Sequence, residues 1–294
     1  MNIGLIDVDG HNFPNLALMK ISAYHKAKGD EVEWFFGFNQ YDKVYMSKVF
    51  TFTEDFQQCI DAKEIIRGGT GYDLKNKLPE EIENMYPDYS LYRINDVAYG
   101  FLTRGCPRGC NFCIVKDKEG QCSKKVADLK SFWSGQREIK LLDPNLMACK
   151  DWKKLLCQLI DSKAWIDFTQ GIDIRLMTKE KVEMINKLKV KMLHFAWDNY
   201  EFNTYEKLKE IRPLLKFNHR KLGVYVLTNF NTTFEQDLDR IYKLKDLGYD
   251  PYVMIYEKWN APREIRLLQR WVNNKIIFRS GNAETYEEYN SKIG

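Results

Sequence analysis

The stretch DVAYGFLTRGCPRGCNFC, residues 96–113, decides how the chain is read. Its opening DVAYGFLTRG has the apolar, aromatic character of a strand. Cys106, Cys110 and Cys113 then follow within eight residues, spaced C-x3-C-x2-C. Gly105 and Gly109 let the backbone fold tightly there, and Pro107 stiffens the first gap. Downstream, short apolar runs alternate with helical periodicity. EIKLLD, WIDFTQG, KMLHFAWD, LGVYVLTNF and PYVMIYE read as strands. SKKVADLKSFW, CKDWKKLLCQLIDSK, TKEKVEMINKLK, TYEKLKEIRPLLK, TTFEQDLDRIYKLKDLG and PREIRLLQRWVNN read as helices. Thr178 is the expected N-cap of the third helix. Thr232 and Glu235 are spaced as a capping box, Gly248 is a stop, and Pro262 stands in a first turn. Six consecutive β-then-α units predict parallel strands covered by helices. They would build either a partial barrel or an open doubly wound sheet. In both, the functional face lies at the C-terminal strand ends, and the cysteine loop follows the first strand of the set.

Upstream, NIGLIDVD, EVEWFF, KVYMSKVF and AKEIIRGG read as strands, and NLALMKISAYHKAKG as a helix closed by Gly29. Residues 1–75 are therefore expected to form a small α/β domain. Residues 76–95 have two prolines and no steady period, and read as a linker packing across domains. Residues 96–280 form the six-unit domain and 281–294 a C-terminal tail.

The 294 residues are 44% apolar, 29% charged and 14% aromatic, an ordinary globular composition able to fill a core. The net charge of +4, with no basic block or tail, gives no clear nucleic-acid signal. Asp7, Asp9 and His11 in the first apolar run exclude a signal peptide, and no run of about 18 apolar residues predicts a membrane span. Seven cysteines, an odd number, point to a reducing cytoplasm with thiols reduced or metal-bound.

Three thiolates can hold three corners of a [4Fe–4S] cluster, which ordinarily takes four. One iron then keeps an open position, the mark of a reactive rather than a structural metal site. The alternative is a zinc-stabilised, non-catalytic binding module. Zinc needs a fourth ligand, and Cys122 is the only nearby candidate. Cys59, Cys149 and Cys157 are too scattered for a second cluster and read as apolar core fillers, the last two on one helix. His194, inside a strand, reads as a core histidine with a hydrogen-bonded ring.

CPRGCNFC, with Phe112 just before the last cysteine, resembles the signature of the radical S-adenosylmethionine (radical SAM) superfamily. The likeness extends over about residues 95–280. It implies a partial (β/α)6 TIM-like barrel with a [4Fe–4S] cluster on Cys106, Cys110 and Cys113. It implies that S-adenosylmethionine chelates the open iron through its amino and carboxylate groups. Reductive cleavage then gives methionine and a 5′-deoxyadenosyl radical, which takes hydrogen from a peptide, nucleoside or small metabolite. A reductant such as a flavodoxin or ferredoxin is the implied partner. LLDPNL and TQGIDIR resemble segments of cobalamin-type relatives. On this likeness Phe112, Asp143, Asn145, Gln170, Asp173, Arg175 and Asp198 are the expected cofactor-binding residues. An Arg175 fork suits the carboxylate of S-adenosylmethionine. Asp143, Asp173 and Asp198 suit its ammonium or ribose hydroxyls, and each would serve equally as a cap at a strand-to-helix turn.

The small domain also resembles a truncated, Rossmann-like cobalamin-binding domain. Asp9-Gly10-His11, Ser47 and Gly68-Gly69 fall in the expected order. Pro14 replaces an expected glycine, and Ser47 to Gly68 is too short for a full helix plus strand. The expectation is a domain that does not bind cobalamin.

Overall fold

The computed structural model describes residues 1–10, 13–279 and 284–293. Its first sheet is built from β1 (Asn2–Asp7), α1 (Leu16–Ala27), β2 (Glu31–Trp34), β3 (Tyr41–Ser47) and β4 (Ala62–Gly68). The strand order is β2-β1-β3-β4, with every neighbouring pair parallel. β1 is central and buried on both faces, which is why its sequence is a continuous apolar run. Ile3 and Leu5 pack with Leu18, Ile21 and Ile82, and Ile6 packs with Tyr41, Val44 and Met46. Asn15 caps α1 by accepting from Leu18 N at 3.2 Å. Residues 48–61 cross from β3 to β4 without a helix, as the short interval requires.

The stretch expected to be a linker has structure of its own. α2 (Glu80–Glu83) places Ile82 in the core of β1. A 3-10 turn at Tyr89–Tyr92 buries Tyr89, whose hydroxyl donates to Phe132 O at 2.6 Å and accepts from Tyr99 N at 3.0 Å.

There follow β5 (Val97–Gly100), β6 (Thr103–Arg104), α3 (Val115–Glu119), β7 (Lys124–Lys125) and β8 (Glu138–Leu141). The regular series is α4 (Trp152–Ser162), β9 (Trp165–Phe168), α5 (Lys179–Ile185), β10 (Lys189–Ala196), α6 (Thr204–Ile211), β11 (Leu222–Thr228), α7 (Phe234–Asp246), β12 (Asp250–Ile255) and α8 (Arg263–Asn273). α9 (Lys275–Arg279) and α10 (Tyr286–Ile293) close the chain. The second sheet has the order β12-β11-β10-β9-β8-β5, and neither main sheet is closed. The fold is thus α/β with parallel sheets.

Several expectations need correction. SKKVADLKSFW is not an α-helix. Its two lysines join the antiparallel β6–β7 ribbon, and Leu129 and Phe132 are both buried from a 3-10 turn. Three residues of separation suit that tighter helix. The capping box is Thr233 with Gln236, one residue later than expected, because Thr232 Oγ1 is bound to Asp237 instead. Pro262 is the N-cap of α8. The C-terminal tail carries α10, whose Tyr286 and Tyr289 pack on Trp271 and Phe278.

Two compact units divide the chain. The first comprises residues 1–100, 105–121 and 127–139, and the second 101–104, 122–126 and 140–294. This division falls on either side of the cysteine loop rather than at residue 75 or 95. Among the described residues, no helix is long and apolar enough to cross a membrane.

Candidate functional site

The cysteine loop belongs to the first unit. Its neck is closed by Cys106 N donating to Gly120 O at 3.1 Å, and by Gly105 N donating to the Glu119 carboxylate at 3.1 Å. Cys113 N donates to Cys110 O at 3.0 Å, a turn that leads into α3. The loop needs left-handed backbone: Gly109 has φ +60°, and an added Cβ would meet nothing within 4 Å. Cys106, Cys110, Cys113 and Phe112 are all half-buried. No disulfide joins any of the seven cysteines. Cys149 is buried as expected, though it precedes α4 rather than lying on it. Cys59 and Cys157 are exposed and fill no core, which corrects that expectation.

In the second unit the polar residues at strand ends separate into two groups. Asp143, just after β8, is buried and turned inward. It accepts from Leu102 N at 3.2 Å, Thr103 N at 2.5 Å and Thr103 Oγ1 at 2.6 Å. Burial pushes its carboxyl up to about 6, against those hydrogen bonds, which lower it. The geometry makes it a tie between the end of β8 and Leu102–Thr103.

Asn145, Asp173, Arg175 and Asp198 form the other group. Asn145 is buried, with Nδ2 3.5 Å from Asp173 Oδ2. Asp173 caps the 3-10 turn Ile174–Leu176 by accepting from Arg175 N, and its two oxygens take Arg175 Nε at 2.7 Å and Nη2 at 3.2 Å. The guanidinium is thereby fixed on an exposed turn, 5.9 Å from the Phe202 ring. Asp198 follows β10, half-buried, and its side chain accepts no hydrogen bond from the described residues. Desolvation raises its carboxyl to about 6, although the Arg240 and Arg175 charges oppose the shift. Gln170 is exposed after β9.

Sequence reading missed Arg240. It is fully buried on α7, where it pairs with Asp237 one turn earlier and donates to Trp197 O and, at 2.8 Å, to Leu227 O. It thus binds the C-terminal carbonyls of β10 and β11. The Asp-x-x-Arg spacing on one helix face was the available signal. His194 is the core histidine expected: Nδ1 lies 3.2 Å from Phe168 O, and its ring stacks on Tyr225 at 4.8 Å. Gly223 makes room for it, since a Cβ there would stand 2.5 Å from the imidazole.

His11 lies outside the described residues. The glycine loop after β4 is packed by protein. A Cβ on Gly69 would stand 2.3 Å from Lys48 O, and one on Gly71 would stand 2.8 Å from Phe50 O.

Neither a family model nor a curated protein matches this chain.

Proposed function

We propose that this chain is a radical SAM enzyme, with one [4Fe–4S] cluster held by Cys106, Cys110 and Cys113. The observation that carries the reading is the loop: three half-buried thiols spaced C-x3-C-x2-C on a glycine turn with open space beside it, next to the β5 strand of a parallel sheet. Among the described residues no three His, Cys, Asp or Glu side chains gather as one metal ion requires. A zinc ion draws its thiolates to within about 2.3 Å of a single point. A cluster instead takes its thiolates on separate irons. The sequential strand order of the second sheet also supports a partial (β/α)6 barrel, since a doubly wound sheet reverses its order at a switch point. The first sheet does reverse, at β1, as a shortened Rossmann-like domain would.

When bound, the reduced cluster supplies the electron that splits the C–S bond of S-adenosylmethionine. The chain's own residues bind and orient. Arg175, fixed by Asp173, presents a planar fork to a carboxylate. Asp198, which has no hydrogen-bond donor among the described residues, accepts from an ammonium or a ribose hydroxyl. Arg240 holds the ends of β10 and β11 so that Asp198 stays in place, and Asp143 fixes the start of the β6 turn. The packed glycine loop supports a first sheet without cobalamin.

The test is anaerobic reconstitution with iron and sulfide, followed by a strong reductant and S-adenosylmethionine. Methionine and 5′-deoxyadenosine should form slowly without further substrate. Arg175→Ala should weaken S-adenosylmethionine binding with the cluster absorbance unchanged. Stoichiometric zinc without sulfide, in protein made anaerobically, overturns the reading.

A further inference from the structure

Seven basic residues crowd three short stretches of the second unit. Lys163 precedes β9; Lys187, Lys189 and Lys191 surround the start of β10; Lys216, Arg220 and Lys221 precede β11. No acidic residue occurs within 162–165, 186–191 or 214–221. Seven charges exceed the +4 of the whole chain, so the remainder is net acidic and the asymmetry is local. In the sequence these cations are dispersed. The parallel sheet gathers them at the N-terminal ends of three neighbouring strands.

Specific contacts hold them there. Lys189 is the register partner of Trp165 across β10 and β9. The Asn186 amide donates to Leu214 O at 2.8 Å and accepts from Lys216 N at 3.2 Å, which seats the loop before β11 beside the end of α5. Lys221 Nζ donates to Val190 O at 2.9 Å and lies 4.7 Å above the Trp165 ring. Lys163, Lys187, Lys189, Lys216 and Arg220 are exposed, and none of these five side chains forms an ion pair among the described residues. Asp161 and Glu183, both exposed, are the nearest acids along the chain. They are outnumbered.

We propose that this edge binds the phosphodiester backbone of a nucleic acid. Protein interfaces deplete lysine and gather apolar anchors at their centre. Here lysine dominates, and the exposed aromatic, Trp165, already carries a cation on its ring. Phosphate backbones are met by such exposed lysines and arginines. β9 and β10 start side by side, about 5 Å apart, while β11 starts farther along, opposite Leu193, so with the reach of the lysine chains the three stretches span several phosphates. The proposal is independent of the cluster and stands whether or not the chain binds iron.

The test measures binding of the full chain to labelled single-stranded RNA, duplex RNA and duplex DNA between about 50 and 200 mM salt. Binding should appear in at least one arm, and the tightest arm names the source of the phosphates. The logarithmic salt slope should be about −3 to −5, for five contacting cations. Lys189→Glu and Lys216→Glu should each weaken binding about tenfold, and each should reduce the slope by about 1. Lys77→Glu, an exposed lysine of the first unit, should leave affinity within about twofold, and thermal melts should show all three variants folded. No binding in any arm at low salt overturns the proposal. So does a Lys77→Glu loss equal to that of Lys189→Glu, or equally tight binding of polyglutamate, which would mark an acidic protein as the partner.

Discussion

Two glycine-bearing loops of the first unit have opposite surroundings. After β4, Gly69 (φ +94°) and Gly71 lie against the Lys48–Phe50 backbone, so close that an added Cβ would overlap it. In the cysteine loop, Gly109 (φ +60°) and Gly120 (φ +90°) have nothing within 4 Å of an added Cβ. The first loop needs glycine because the chain itself fills the space. The second needs glycine for its turn alone and leaves the space open. The same contrast separates two acids of the second unit. Asp143 and Asp198 are both raised to about 6 by burial, yet Asp143 receives three donors from its own chain and Asp198 none among the described residues. A strand end is a candidate site where the chain has not met its own needs there, and glycine or aspartate alone does not reveal which case holds.

The sharpest way to break the contrast is to remove a thiol from the open loop. Cys106→Ala should lose most of the iron that reconstitution introduces, and reductive cleavage of S-adenosylmethionine should fall below detection. Cys59→Ala and Cys157→Ala, exposed and outside the loop, should keep about four irons per chain. Full iron in Cys106→Ala, measured by metal and sulfide analysis, would remove the loop's claim to be a site.

Next come the glycines themselves. Gly109→Ala should cost about 1–2 kcal/mol, the penalty of left-handed backbone without a steric one. Gly69→Ala adds overlap with Lys48 O and should cost about 4 kcal/mol. Denaturant melts of the two variants measure the difference. Equal losses would mean that the loop after β4 can open, and that its packing is no barrier to a ligand.

Much of this was legible in the sequence, for physical reasons. The strands β1, β3 and β8 to β12 each carry buried apolar residues, and burial is what hydrophobic patterning records. Thr178 was readable as a cap because its side chain does accept from Lys181 N. The helix expected at SKKVADLKSFW failed because its lysines pair with Thr103 and Arg104, a long-range partner that no local period encodes. Arg240 and the basic edge were missed for the same reason. Single charges become a clamp or a patch only after the sheet brings β9, β10 and β11 side by side. Asp143 and Asp198 looked alike because both end strands; only the donors around them differ.

That pair supplies a pH test. The unfolded chain titrates Asp near 3.9. In the fold burial raises the Asp198 carboxyl to about 6, so the native state holds its proton more tightly. The stability this contributes is fully present below the unfolded value and is lost as pH rises through about 6. Asp198→Asn should therefore flatten the stability curve between pH 4 and 6 by up to about 3 kcal/mol, read from urea melts at several pH values. Asp143→Asn should behave differently. An amide offers one oxygen where the carboxylate offered two, so Leu102 N, Thr103 N and Thr103 Oγ1 cannot all be satisfied. It removes the same titration as Asp198→Asn, since both carboxyls are raised to about 6, and in addition it should lose about 2 kcal/mol at every pH. Identical pH profiles for the two variants would erase the distinction between a met and an unmet carboxylate.

The smallest expected effect asks whether the filled loop and the open loop are coupled. Lys118, on α3 of the cysteine loop, donates to Thr70 Oγ1 at 3.2 Å, and Thr70 is buried in the loop after β4. The distance is at the long end for a hydrogen bond, though the donor is charged, so a modest net contribution is expected. Thr70→Val removes the acceptor and keeps the shape of the side chain, while Lys118→Met removes the donor and keeps most of the stem. A double-mutant cycle should give a coupling of about 0.5–1 kcal/mol, with each single variant losing no more than about 1.5 kcal/mol. Iron content in Thr70→Val should match the parent, because Thr70 supports the helix that follows the cysteines and holds none of them. A coupling of zero would make the loops independent. Loss of iron in Thr70→Val would reverse the comparison, since the packed loop would then belong to the site rather than stand as its closed counterpart.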